Sequence, residues 1–382
     1  MTTRDTGPSP ATPTSAAPQT QSGNPSTVAD DLVHHEDYAV GDTGTFGDYL
    51  VTRDEIKTFA RHFDPQPQHL DEVAAAAFMT KGLCASGFHS CAIMMRLLCD
   101  GMLLRAASLG SPGMEEVRWK APVYPDDRLH VRYTVTGMRT LRSRPHVGLM
   151  TMAFDMVRAD GTVVMSWHNV TQMMRRRTLD AGLDEPSGTA AVPPKPVKAP
   201  APAPAPSLSA ADAPRDQALS NWFEDLVVGE VMALGSHTFT ADETIAFARQ
   251  FDPQPFHLDT SAAEASLFGK LSASGWHTAA VFISKMVAFR QDIEARMTDA
   301  GLKIASWGPS PGFKDLRWIK PVLVGDTITF TGMRSAKRDL KSRPTHGLVL
   351  TECVGHNQDG VHVFSITTQM LVERRTPNEP AA

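Results

Sequence analysis

An Asp and a His stand five residues apart on a proline-flanked turn, and the arrangement occurs twice, as Asp64 with His69 and as Asp252 with His257. Each pair is followed by a Ser-Gly step, Ser86-Gly87 and Ser274-Gly275, and all four residues keep a single offset of 188 positions. A carboxylate and an imidazole within reach of one another are the ordinary tools for moving protons to and from water. A glycine at the first turn of a helix offers an unobstructed amide, backed by the positive helix end, to an oxygen that gains negative charge. Ser86 and Ser274 fit the N-cap of that helix. His89 and His277, two residues after each glycine, read as packing residues on its face.

The elements around these residues repeat too. The stretches beginning at Phe59 and Phe247 share 19 of 31 positions, a length that marks a duplicated structural unit. Before each pair lies a capping-box pattern, Thr52 with Glu55 and Thr240 with Glu243, and then apolar residues at helical spacing: Ile56, Phe59, Ala60 and Phe63, and Ile245, Phe247, Ala248 and Phe251. Pro65 and Pro253 stop that helix, leaving Asp64 and Asp252 at its negative end, a place that favours taking up a proton. The second prolines, Pro67 and Pro255, are expected to keep the turn extended as far as each His. A longer, nearly all-apolar helix starts at each Ser-Gly, and its burial on most sides calls for a sheet wrapped around it. Alternating runs supply that sheet: 129–135, 149–157 and 163–173 in the first copy, and 327–330, 348–354 and 363–372 in the second. Asp160-Gly161 and Asp359-Gly360 join pairs of these runs as hairpins. The strand motifs repeat at an offset of 199, so the second copy has gained 11 residues within roughly 291–309.

These boundaries divide the chain into a tail at 1–30, a first domain at 31–178, an Ala/Pro-rich linker at 179–217 and a second domain at 218–376. The tail lacks the apolar core of a signal peptide, and the linker composition cannot pack; its Pro193–Pro206 run reaches about 40 Å if extended. A net charge of -5 and a pI near 6.3 give no basic face for nucleic acid or an anionic membrane. The most apolar stretch, 91–109, is interrupted by Arg96, Asp100 and Arg105, which argues against a membrane span. Four cysteines without paired spacing suggest neither a zinc site nor a disulfide framework, and a reducing cytoplasm is the expected location.

The residues resemble the MaoC-like acyl dehydratases, which include the (R)-specific enoyl-CoA hydratases. The resemblance rests on Asp252, Pro255, His257, Asp259, Phe268, Gly269 and Gly275. It is less complete in the first copy, where Thr80 and Lys81 replace the Phe-Gly pair. Gln66 and Gln254 stand where the hydratases usually have Asn, and Ser86 and Ser274 where they usually have His. The resemblance implies an α+β architecture of two hot-dog domains, each a long helix wrapped by a curved antiparallel sheet, paired side by side as an intramolecular pseudo-dimer. It further implies an acyl-CoA hydratase or dehydratase with no metal or redox cofactor, coenzyme A entering only as part of the substrate, and it leaves room for a homodimer of double hot dogs.

Hydrating an enoyl thioester needs a base for water, an acid for the α-carbon and donors for the thioester oxygen. The catalytic candidates are therefore Asp252, His257, Asp64 and His69, with Gly275 and Gly87 as oxyanion donors. Arg343 and Arg144, in the repeated Ser-Arg-Pro motif, are candidates for coenzyme A phosphates, with a solvated hairpin face as the other reading. A hot-dog thioesterase and a non-catalytic acyl-binding module are the alternative functions. The Phe268-Gly269 step, Trp276 and the inserted residues lead us to expect the second copy to dominate catalysis.

Overall fold

A computed structural model of the chain describes residues 32–176, 208 and 219–377; the expected tail at 1–30 and the expected linker at 179–217, apart from Leu208, lie outside them.

 Leu208 is the one described position of that linker, and the described elements run from 35 to 174 and from 231 to 373. In the first copy the order is β1 (Thr43–Leu50), α1 (Arg53–Phe63), α2 (Pro67–Leu70), α3 (Glu72–Ala77), α4 (Gly87–Gly101), β2 (Gly113–Trp119), β3 (Arg128–Leu141), β4 (Arg144–Arg158) and β5 (Val163–Met174). The second copy repeats it as β6 (Val231–Thr238), α5 (Ala241–Phe251), α6 (Pro255–Leu258), α7 (Thr260–Glu264), α8 (Gly275–Asp299), β7 (Gly312–Trp318), β8 (Thr327–Asp339), β9 (His346–His356) and β10 (His362–Glu373). The three expected strand runs of each copy are present. β1, β2, β6 and β7 were not expected, because none shows a clean two-residue alternation.

The ten strands form one antiparallel sheet in the order β1-β3-β4-β5-β2-β7-β10-β9-β8-β6. Its midpoint is the β2–β7 pairing, with Met114 opposite Leu316 and Val117 opposite Phe313, so the two copies share a single sheet. At this seam a side chain on Gly113 would strike the Leu316 carbonyl oxygen at 2.1 Å, and one on Gly312 the Val117 oxygen at 2.0 Å. α4 and α8 lie against the sheet and against each other, and one large apolar core runs through both copies, with a smaller cluster of Phe223, Leu226, Val349 and Val372 apart from it. Phe59 meets Phe251 edge-on at 5.8 Å, and Phe63 meets Phe247 at 5.8 Å, which ties α1 to α5.

The stretch Gly87–Arg105 is long and apolar enough to cross a membrane by length and composition alone; 67% of it is buried inside the fold, so its apolarity is accounted for by the core. Two local expectations are corrected. The turn after Asp64 and Asp252 does not stay extended: Pro67 and Pro255 open the short helices α2 and α6, which carry His69 and His257. Proline suits the first helical position because the amide it lacks would have no partner there. The capping box closes only at Thr240 and Glu243. In the first copy Thr52 caps the Glu55 amide, but the Glu55 carboxylate turns instead to the Tyr49 hydroxyl and to His89, 3.4 Å away.

Because the seam leaves no space for a side chain, Gly113→Val should destabilise the chain by roughly 3 kcal/mol or more. Urea unfolding would show it; a midpoint equal to that of the parent would mean that the seam is not under this constraint.

Candidate active site

Each acid-base pair is assembled in the same way. α1 and α5 end at Phe63 and Phe251, with Asp64 and Asp252 as their C-caps, and the following prolines turn the chain into α2 and α6. All four side chains are buried. His69 Nε2 lies 3.8 Å from Asp64 Oδ2, and His257 Nε2 lies 3.6 Å from Asp252 Oδ2. On the far side of each ring, Nδ1 sits 2.8 Å from a backbone carbonyl, that of Cys84 or of Ser272. A carbonyl only accepts, so Nδ1 carries a proton, and in the neutral ring Nε2 presents its lone pair to the carboxylate.

The carboxylates are held by donors. Ser86 Oγ donates to Asp64 Oδ2 at 2.5 Å and Ser274 Oγ to Asp252 Oδ2 at 2.6 Å; Gln66 and Gln254 donate to the Oδ1 atoms at 2.7 and 2.9 Å. The serines also cap the long helices, accepting from the Phe88 and Trp276 amides at 3.2 Å. One hydroxyl therefore fixes both the helix start and the carboxylate, more than the capping role expected of Ser86 and Ser274. Burial works against charge on His69, but its Cys84 contacts and the negative charge of Asp64 outweigh burial and raise its pKa above the ordinary imidazole value.

Gly87 and Gly275 occupy the first position of α4 and α8, where the amide has no partner within the helix. Their lack of a side chain has a steric cause: a Cβ would meet the indole of Trp119 or of Trp318 at 2.5 Å. The Trp318 indole nitrogen donates to the Gly275 carbonyl at 2.8 Å.

Each pair opens onto a cavity whose walls come from both copies. A cavity of about 360 Å³ holds Asp252, His257 and Gly275, and is closed by Met95, Trp167 and Asn169 of the first copy. A cavity of about 780 Å³ holds Asp64, His69 and Gly87, with Ile283, Ser310 and Arg343 of the second copy on its wall. The arginines are crossed: Arg343 lies at the Asp64 cavity, with its guanidinium 3.4 Å from Met79 Sδ, and Arg144 donates at 2.7 Å to Gln172 on the wall of the Asp252 cavity.

Several site residues were missed in the sequence. Ser111-Pro112 and Ser310-Pro311 line the opposite copy's cavity, and the repeated Ser-Pro-Gly at 111–113 and 310–312 was the available signal. Cys99, on α4, brings its thiol 3.4 Å from Asp252 Oδ1. No local pattern marks that contact.

Two of the reasons for favouring the second copy, the Phe268-Gly269 step and the inserted residues, are corrected. Nothing lies within 4 Å of a Cβ built on Gly269, so this glycine does not serve a close approach of the chain to its neighbours. It answers a left-handed backbone at φ +67°, and Lys81 accepts the same conformation at φ +61°. The inserted residues lengthen α8 to 25 residues, against 15 in α4, and 308–311 line the Asp64 cavity; none of 291–309 lines the Asp252 cavity.

A model of the MaoC like domain matches the chain twice, at residues 39–154 and 227–354. The chain belongs to the MaoC-like dehydratase family. The fold of this MaoC-like chain is similar to that of a MaoC domain protein of Chloroflexus aurantiacus J-10-fl, with TM-score 0.69 and 17% identity, over 93% of this chain and 100% of the other. It is also similar to a conserved hypothetical protein of Mycobacterium tuberculosis described as having a double hot-dog fold, with TM-score 0.64 and 13% identity, over 90% of this chain and 99% of that one. Among curated proteins, the uncharacterised YdeM of Bacillus subtilis (strain 168) is 28% identical over 117 residues, 31% of this chain and 82% of YdeM. The α+β double hot dog that the resemblance implied is the fold of this MaoC-like protein.

His89 and His277 pack as expected, stacked on Phe59 at 4.5 Å and on Phe247 at 4.7 Å. Burial, with His237 and His257 nearby, pushes His277 down to about 3 from an ordinary 6.5. Its folded pKa is depressed, so the unfolded chain binds a proton that the folded chain refuses, and stability falls as pH drops from about 6.5 toward 3. His277→Phe should remove part of this acid sensitivity, about 2–3 kcal/mol between pH 7 and pH 4. Urea midpoints at the two pH values measure it, and an unchanged pH dependence would count against a neutral buried His277.

Proposed function

We propose that the protein is an acyl-CoA hydratase or dehydratase, adding or removing water across the 2,3 double bond of an enoyl thioester. The observation that supports this best is the facing of Asp Oδ2 and His Nε2, 3.6–3.8 Å apart, beside the free first amide of a long helix in both cavities. With Nδ1 committed to a carbonyl, a water seated between the two acceptors donates one proton to each. Its oxygen lone pair is then turned toward the substrate.

In the hydration direction, Asp252 or Asp64 takes the proton as the water oxygen bonds to C3. The electrons of the double bond pass to the thioester, whose oxygen is held by the Gly275 or Gly87 amide. A proton delivered to C2 from the Asp-His pair completes the addition, and dehydration is the reverse. Lys81, Lys120 and Arg343 on the Asp64 cavity, Lys320 on the Asp252 cavity and Arg144 beside it would be the partners of coenzyme A phosphates.

Because the two sites share their geometry, we propose that both turn over. Crotonyl-CoA should lose its enoyl absorbance without release of free thiol; thiol release at the same rate would favour a thioesterase. Asp252→Asn with His257→Ala, or Asp64→Asn with His69→Ala, should each remove one site's share. The combined variant should fall about 100-fold or more. Retention of parent activity in the combined variant would sink the assignment of these residues.

A further inference from the structure

The two sites differ in what reaches each Asp from the opposite copy. At Asp252 it is the Cys99 thiol, while Arg96 of α4 donates to the Arg249 and Gln250 carbonyls at 3.0 and 3.2 Å. At Asp64 it is a cation one residue removed, acting through Gln66. Arg290 of α8 donates through Nη2 to Gln66 Oε1, and Gln66 donates through Nε2 to Asp64 Oδ1 at 2.7 Å. The next residue, Gln291, donates to the Pro65 carbonyl at 3.0 Å, so two consecutive side chains grip the turn that carries the carboxylate.

Arg290 is an unusual residue to find there. Its side chain is 11% exposed, its Nε has no hydrogen-bond partner, Glu294 is 3.8 Å away and the Trp307 ring lies 5.1 Å from the guanidinium. Holding a cation in such a place is costly unless neighbouring charge and hydrogen bonds compensate it. The position exists only because α8 runs on: its counterpart in the first copy, Met102, falls just after α4 has ended at Gly101. The insertion thus supplies the second copy with a helical residue that serves the first copy's site.

We infer that Arg290 is a positioning residue for Asp64, acting through Gln66 to lock the amide as a donor to the carboxylate and hold the Asp64 turn in register with His69. A guanidinium on Oε1 fixes which end of the Gln66 amide faces Asp64, because only the NH2 end is left to donate. Among the described residues the second site has no such relay. Gln254 there makes the same contact to Asp252 without a cation behind it among the described residues.

The activity arm of the test rests on the hydratase reading; the spectroscopic arm does not. In an Asp252→Asn background, where only the first site reports, Arg290→Met should lower kcat about tenfold with KM within about twofold, and move the acid limb of the pH profile upward by about half a unit. Arg290→Lys should recover part of the loss. In an Asp64→Asn background, Arg290→Met should leave the second site's rate as it was; equal losses in both backgrounds would reduce Arg290 to a structural brace and overturn the inference. Independently, the His69 ring followed by NMR should titrate at a higher pH in Arg290→Met, because Asp64 then leans more on His69 for its counter-charge. Gln66→Ala breaks the same link without touching α8 and should shift His69 the same way. An unmoved His69 midpoint in both variants would overturn the relay even if the enzyme is active, whereas a shifted midpoint in a chain that never hydrates an enoyl thioester would uphold it and reject the hydratase reading.

Discussion

The β2–β7 pairing is the contact on which the rest of the molecule depends. It is antiparallel and central, so it relates the two copies by a near two-fold axis and brings the start of each long helix against the other copy's strands. Gly113 and Gly312 make the approach close enough to leave no side-chain space. From that one ladder it follows that neither cavity belongs to one copy. Trp167 of the first copy stacks on Trp276 of the second at 5.2 Å, and Phe313 of the second on Phe88 of the first at 5.6 Å, so each helix entry is roofed by the opposite half.

Within each half the chemistry is placed by economy of capping. A helix that must stop at a proline leaves an Asp at its end; a helix that must begin needs a hydroxyl at its N-cap. The fold sets these two ends side by side, so Ser86 and Ser274 satisfy an amide and a carboxylate together. The short helices opened by Pro67 and Pro255 carry each imidazole back over the carboxylate, and a backbone carbonyl fixes its tautomer. The carboxylate and imidazole are thus oriented by main chain, by the glutamine on the same turn and by the serine that caps the long helix, which suits groups whose function depends on direction.

Duplication preserved this local machinery and changed what surrounds it. Tyr49 and His237 occupy equivalent positions and both contact the N3 glutamate, yet only Glu55 also meets the buried His89. The first cavity carries Lys81, Lys120 and Arg343 beside Phe78 and Phe88, while the second carries Lys320 beside Phe256, Phe268 and Trp276. A thiol approaches one Asp and a cation-bearing amide the other. The two sites share their geometry and differ in electrostatics, a divergence that a chain with two copies can afford because each half keeps the other's scaffold intact.

The sequence by itself determined what is local and periodic: the duplication, the helix stops at Pro65 and Pro253, the serine caps, the three alternating strands of each half, and the Asp-His-Gly set with its resemblance to the MaoC-like proteins. Those features are legible because capping, proline geometry and two-residue alternation act over a few positions. It did not determine β1, β2, β6 and β7, whose residue types do not alternate cleanly and whose pairing partners lie far along the chain. Nor did it reveal that 308–311 and Arg343 serve the first site, that Cys99 meets Asp252, or that Arg290 reaches Gln66 across 224 positions. Only the tertiary structure decided those, because they exist only once β2 and β7 have joined the two halves and carried each long helix across the other copy's catalytic turn.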